Sequence, residues 1–177
     1  LNHRKLFDVI TVCRLVPWKG VDAVIRACAE LNLTLAVVGE GPEKNSLQSL
    51  AKDLNASITF LGDITQDELP EVLNSARCFV LNSSFEATSY ALMEARACGL
   101  FSIANLGTGS EEIINQNRDG ILTRLGSQDL FEALLRFKND RAFVTTASQL
   151  AIKDCSLRFN NNLNFQEIFN LVNAEDS

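Results

Sequence analysis

Two glutamates, Glu86 and Glu94, bracket the segment Ala87-Thr88-Ser89-Tyr90-Ala91-Leu92-Met93. A carboxylate only accepts hydrogen bonds, so it is well matched to the hydroxyls of a sugar. Two carboxylates this close also raise the prospect of an acid/base couple. The spacing predicts a helix from Ser89 to Cys98, ended by Gly99. Its first N–H groups, around Ala87 to Ala91, lack intrahelical partners and could take a phosphate or sugar oxygen. Glu86 then stands in a loop, able to fold over a pocket, while Glu94 is fixed by the helix. An exposed helix charge is the plain alternative for Glu94. Leu92, Ala95, Ala97 and Cys98 argue against it by making the helix apolar on most sides.

Upstream, Arg14 and Lys19 flank Pro17 and precede Gly20. A planar fork of donors beside a point charge suits a diphosphate; a surface pair solvating a sheet edge is the alternative. Gly39-Glu40-Gly41-Pro42 forms a tight turn that could bring backbone close to a ligand or simply join a strand to a helix. Gly62 and Asp63 follow another apolar run.

The elements that carry these residues alternate. Strand-like runs fall at Phe7–Cys13, Leu33–Val38, Ser57–Leu61, Cys78–Leu81, Phe101–Ala104 and Ile121–Thr123. Helix-like segments between them cover Val21–Leu31, Glu43–Leu54, Thr65–Ala76, Ser89–Cys98 and a short Glu111–Asn115. Thr65 with Glu68 three residues on reads as a capping box. Further helices are expected at Gln128–Phe137, Arg141–Ile152 and Leu163–Val172, with a polar turn over Asn160–Asn164. Strands alternating with helices through short loops mean βαβ units and a parallel sheet, and six such strands fit the Rossmann order. The fold class is therefore α/β, a doubly wound six-stranded sheet with extra C-terminal helices. One domain is expected over 1–177, its core at about 7–138 and its C-terminal helices at 139–177. Every polar or glycine-rich cluster named above lies at the carboxyl end of a strand, the edge where open α/β sheets bind ligands.

Composition narrows the classes. The chain has 177 residues, enough to bury a core without staples, and 46% of them are hydrophobic. Net charge is −6, which excludes a broad nucleic-acid footprint. Five cysteines, Cys13, Cys28, Cys78, Cys98 and Cys155, show no metal-ligand spacing and sit mostly in apolar runs, as free buried thiols do. That pattern, with no run that reads as a signal peptide or membrane span, gives a reducing, cytoplasmic expectation. His3, the single histidine, is isolated near the terminus, so histidine base chemistry is not expected. No carboxylate cluster resembles a metal site, and neither metal nor cofactor is expected.

In order and spacing these pieces resemble the C-terminal domain of the retaining GT-B glycosyltransferases of the GT4 type, the glycosyl transferases group 1. Val12-Cys13-Arg14-Leu15-Val16-Pro17-Trp18-Lys19-Gly20 is similar to the family's basic loop, and Val37-Val38-Gly39-Glu40-Gly41-Pro42 to its second turn. Ile58-Thr59-Phe60-Leu61-Gly62 is similar to its third strand. Glu86 to Glu94 forms an E-x7-E motif, followed by Ala97-Cys98-Gly99, Gly107, Glu111-Glu112-Ile113-Ile114 and Asp119-Gly120-Ile121-Leu122. The resemblance covers roughly residues 8 to 135.

It implies that Arg14 and Lys19 hold the diphosphate of a UDP- or GDP-sugar, that Glu86 meets donor-sugar hydroxyls near the reacting centre, and that Glu94 binds the ribose. Backbone of Ala87, Thr88, Ser89 and Tyr90 would reach sugar and phosphate, and the loop of Gly62, Asp63 and Ile64 the base. Glu86, Arg14 and Lys19 would be the catalytic residues, the two cations and the helix N-terminus stabilising the leaving diphosphate while configuration is retained. The family commonly has Gly-Phe-Gly after the first glutamate; Ala87, Thr88 and Ser89 here would narrow the sugar pocket. An acceptor domain N-terminal to this one is also implied, so the chain alone should bind a donor weakly and transfer nothing, and any peripheral contact with a membrane face would fall to that domain. Two rivals differ in class. A dinucleotide oxidoreductase would need G-x-G-x-x-G at the first strand-to-helix turn, whereas G-x-G here follows the second strand. A non-catalytic nucleotide-binding or regulatory domain on a degenerate glycosyltransferase scaffold is the other.

Overall fold

The computed structural model describes residues 5–86 and 89–158. Six parallel strands form one sheet: β1 (Phe7–Val12), β2 (Leu35–Val38), β3 (Ile58–Gly62), β4 (Ala76–Leu81), β5 (Phe101–Asn105) and β6 (Ile121–Thr123). Their spatial order is β3-β2-β1-β4-β5-β6. The helices are α1 (Val21–Glu30), α2 (Lys44–Asp53), α3 (Leu69–Asn74), α4 (Tyr90–Ala97), α5 (Ser127–Asn139) and α6 (Arg141–Arg158). The chain is thus the expected doubly wound α/β fold.

Helices on both sheet faces explain why the central strands read as unbroken apolar runs rather than alternations. All four residues of β2 and all five of β5 are buried. Val9, Leu35, Val37, Cys78, Val80, Phe101 and Ile103 pack on one face with α1 and α5. Ile10, Ala36, Val38, Phe79, Leu81 and Ala104 pack on the other with α3 and α4. The outer strand β3 alternates between half-buried and exposed residues, as an edge strand can. Connections leave β1 and β4, adjacent in the sheet, in opposite directions. The loops that follow them open the crevice at the topological switch point.

Several boundaries differ from expectation for identifiable reasons. Thr65 and Glu68 do interact, the N–H of Thr65 donating to Oε2 of Glu68 at 2.9 Å and its hydroxyl at 2.7 Å. They close a turn ahead of the helix, however, and α3 covers only Leu69–Asn74, with Pro70 in its first turn. Strand β4 accordingly begins at Ala76, two residues early. The segment at 111–115 is a 3-10 turn, Ser110–Glu112, rather than a helix. Helix α6 continues past Ile152 to Arg158. The helix expected at 163–172 and the turn at 160–164 lie outside the described residues, as does His3. All five cysteines are free, with Cys28, Cys78 and Cys155 buried and the other two half-buried.

Candidate functional site

At the carboxyl edge the loops after β1 and β2 interlock. Cys13 N–H donates to Val38 O (3.1 Å), Leu15 N–H to Glu40 O (2.9 Å) and Glu43 N–H to Leu15 O (3.1 Å). Gly39 sits at φ +117°, and a Cβ there would lie 2.0 Å from the Cys13 carbonyl oxygen; at Gly41 it would lie 2.2 Å from that of Leu15. The sequence left open whether these glycines admit a ligand or make a connection. The tight approach is between the two loops themselves. Its result is that Arg14 emerges, exposed, from a braced backbone.

A cleft of about 600 Å³ opens beside that brace. Arg14, Gly39, Gly41, Asp63 and Ile64, all expected site residues, line it with Cys13, Glu40, Thr65 and Gln66. Gly62, also expected there, is not among the lining residues; it accepts from the N–H of the lining residue Gly39 at 2.7 Å, with a positive φ of 71°.

Lys19 ends the 3-10 turn Pro17–Lys19, and Gly20 follows it in the left-handed region. Its ammonium is paired with the Glu86 carboxylate, and both side chains are largely buried. The loop after β4 is tied onto this turn. Ser84 N–H donates to Trp18 O (2.8 Å), and Asn82 Nδ2 to Gly20 O (3.0 Å). Cys13, in the cleft wall, lies within reach of both charges. Burial lifts its thiol to about 11, with Lys19 pulling it down and Glu86 pushing it up more weakly. The expected cation pair is thus split, Arg14 exposed in the cleft and Lys19 neutralised by the glutamate beside it.

Ser89 is the N-cap of α4, its hydroxyl accepting from Leu92 N–H at 3.2 Å. Tyr90 is 70% exposed at the first helical position. Ala87 and Thr88 lie outside the described residues. Glu94 is half-buried and accepts from Nε2 of Gln66, which joins α4 to the cleft. The pair Glu86 and Glu94 is therefore divided between two partners, Lys19 and Gln66, rather than forming one acid/base couple.

Composition gave no sign of what holds α4. Ala97 is exposed, while Arg96, buried with Leu92 and Ala95, has no accessible surface. Its guanidinium donates to the backbone carbonyl and to Oδ1 of Asp119, each at 3.0 Å, and lies 3.7 Å from Asp154 on α6. Asp119 in turn accepts from Asn115 through its N–H (2.9 Å) and its side-chain amide (2.6 Å). A buried charge is tolerable only when paired and hydrogen-bonded in this way. Gln66, Arg96 and Asp119 were all missed as site-building residues. Only Asp119, inside the quoted Asp119-Gly120-Ile121-Leu122 motif, left a trace in sequence.

The comparisons with known proteins bear on this arrangement. The family model described as glycosyl transferases group 1 matches residues 2–153. The chain belongs to that family. Within it, the chain is 32% identical over 126 residues to a GDP-mannose-dependent alpha-(1-6)-phosphatidylinositol monomannoside mannosyltransferase of Mycolicibacterium smegmatis, covering 63% of this chain and 33% of that protein. Among solved structures, HepE of Anabaena in complex with UDP superposes with a TM-score of 0.86 at 25% identity, over 96% of this chain and 49% of that one. The C-terminal domain of the group 1 protein LpcC from Francisella tularensis shares the fold, with a TM-score of 0.79 at 21% identity, over 89% of this chain and 88% of that domain. This group 1 domain is a GT-B Rossmann-like unit. It spans about a third of the length of the curated relatives it matches. Among the described residues, no group of three His, Cys, Asp or Glu could hold a metal, and no helix is long and apolar enough to cross a membrane.

Proposed function

We propose that this domain binds the nucleoside diphosphate sugar of a retaining GT4-type glycosyltransferase, and that the intact enzyme transfers the sugar to an acceptor in glycan, polysaccharide or glycolipid synthesis. The observation that carries the reading is that Arg14 and Gln66 line one cleft at the sheet's carboxyl edge, Gln66 holding Glu94 and the Lys19–Glu86 pair standing beside the cleft residue Cys13. Arg14 and Lys19 take the diphosphate, Asp63 and Ile64 meet the base, Glu94 takes the ribose, and Glu86 faces the sugar. The backbone from Ala87 to Tyr90, leading into the helix that Ser89 caps, reaches the sugar and phosphate. Lys19 is paired with Glu86, so diphosphate binding must share or release that ammonium and thereby frees Glu86 for the sugar.

Bond cleavage leaves negative charge on the diphosphate. Preorganised cations and a helix N-terminus stabilise that charge as it develops, which is electrostatic catalysis. Because Arg14 and Lys19 supply the positive charge, transfer runs without a divalent metal; full activity of the intact enzyme in EDTA is the expected outcome, and loss of activity there would overturn it. Five mannosyltransferase relatives are named as GDP-mannose-dependent and HepE was solved with UDP, so GDP and UDP are the two nucleotides to compare. The acceptor site lies on a second, N-terminal Rossmann-like domain, which also carries any peripheral membrane contact of this cytoplasmic enzyme.

Calorimetric titration of the chain with UDP, GDP and ADP tests the reading. Binding of one of them, weakened by Arg14→Ala and Lys19→Ala, supports it. A folded chain that binds none is instead a regulatory domain on a glycosyltransferase scaffold.

A further inference from the structure

The opposite, amino edge of the sheet carries a second cavity, of about 530 Å³. It lies one strand length from the nucleotide cleft, about 20 Å for a six-residue strand. Three cations from separate parts of the chain line it: Lys5 ahead of β1, Arg77 near the start of β4 and Arg141 at the start of α6. Thr145, Ser148 and Gln149, on one face of α6, add hydroxyl and amide groups, and Val144 and Ile152 add an apolar wall. Among the described residues, no acidic side chain lines the cavity.

The charge balance here is unusual for a chain of net charge −6. Asp8 meets Arg77 at 3.4 Å, but Asp8 is already engaged by Thr34 through both backbone and hydroxyl donors. Among the described residues Lys5 and Arg141 have no carboxylate partner. Burial is the chief cause of a lowered Lys5 pKa; Cys98 opposes it, and neighbouring Arg77 adds a smaller push downward. Like charges gathered without a counter-charge raise each other's energy, and an anion is what relieves them. The guanidinium of Arg77 is held over the Phe137 ring, 5.3 Å from its centroid, which fixes one fork of donors in place.

We propose that this cavity is a binding site for a phosphate monoester of a small polyol, free in solution. The phosphate would lie among Lys5, Arg77 and Arg141, and the polyol hydroxyls against Ser148 and Gln149. The site is separate from the donor cleft and does not depend on the donor reading. Helix α6 also supplies Asp154 to Arg96, so the element that lines this cavity touches the clamp on α4.

The test is a titration of the chain with glycerol 3-phosphate, inorganic phosphate and phosphatidylglycerol vesicles, followed by amide chemical shifts. Glycerol 3-phosphate is expected to shift the amides of residues 141–152. The double variant Lys5→Ala/Arg141→Ala should weaken it about tenfold, as loss of charge-assisted hydrogen bonds does. Ser148→Glu, which places a carboxylate in the cavity without removing a cation, should weaken it as well. Arg14→Ala/Lys19→Ala should leave it unchanged. Absence of any shift by glycerol 3-phosphate would overturn the proposal. So would binding lost in Arg14→Ala/Lys19→Ala but kept in Lys5→Ala/Arg141→Ala, or binding to vesicles alone.

Discussion

The two ends of the sheet carry cavities of similar size, about 600 and 530 Å³, but among the described residues Arg14 is the one cation lining the first, whereas Lys5, Arg77 and Arg141 line the second. At the carboxyl edge, lysines are matched with glutamates close at hand: Lys19 with Glu86, and Lys44 with Glu40. The backbone there is braced by glycines that admit one loop against another. At the amino edge, three cations converge with Asp8 as their single carboxylate contact among the described residues. Paired charges can exchange partners as a ligand arrives and leaves, which suits a site that turns over. Unpaired cations favour steady occupancy by an anion.

The sharpest way to break the comparison is to remove what both ends share. Arg96 pins α4, which bears Glu94, to Asp119 and to Asp154 on α6. Arg96→Ala should cost about 3–5 kcal/mol by stranding a buried carboxylate, read as a lowered urea midpoint. Gly39→Ala acts on the carboxyl edge alone. Its Cβ would press on a backbone oxygen at a positive φ, and a loss of about 2–4 kcal/mol is expected in the same assay, together with weaker nucleotide binding. Arg14→Ala and Lys19→Ala should each weaken UDP or GDP about tenfold by calorimetry while leaving the fold intact. Glu94→Gln keeps the size but loses the charge, and about fivefold weaker nucleotide binding is expected. The smallest effect belongs to Lys5→Ala/Arg141→Ala, which should leave nucleotide affinity unchanged and shift stability by less than about 0.5 kcal/mol. A marked loss of nucleotide binding in that variant would erase the distinction between the two ends.

The alternation of apolar runs and amphipathic segments was enough to read the parallel sheet and to place Arg14, Gly39, Asp63 and Glu86 on one edge, because those signals are local in the chain. What escaped the sequence depends on distant partners. Arg96 drew no reading of its own, because its partners Asp119 and Asp154 come from a loop and another helix distant in the chain. Gln66 carries no motif of its own, and its role follows from meeting Glu94. Gly39 and Gly41 read equally as ligand contacts or turn residues, since the crowding carbonyls belong to Cys13 and Leu15 on a different loop. The separation of Lys19 from Arg14 is likewise a product of the Glu86 partner, which spacing does not express.

The thiols have a practical consequence. Burial raises the pKa of every one, Cys13 to about 11, Cys28 to about 12, and Cys78, Cys98 and Cys155 upward as well. Reaction with maleimides requires the thiolate, so burial and the raised pKa slow the native cysteines relative to an exposed thiol. A single dye can therefore be attached through Thr146→Cys, at an exposed position on α6, with all five native cysteines left in place. That gives a fluorescent reporter on the helix that reaches from the far cavity to the clamp behind the nucleotide cleft.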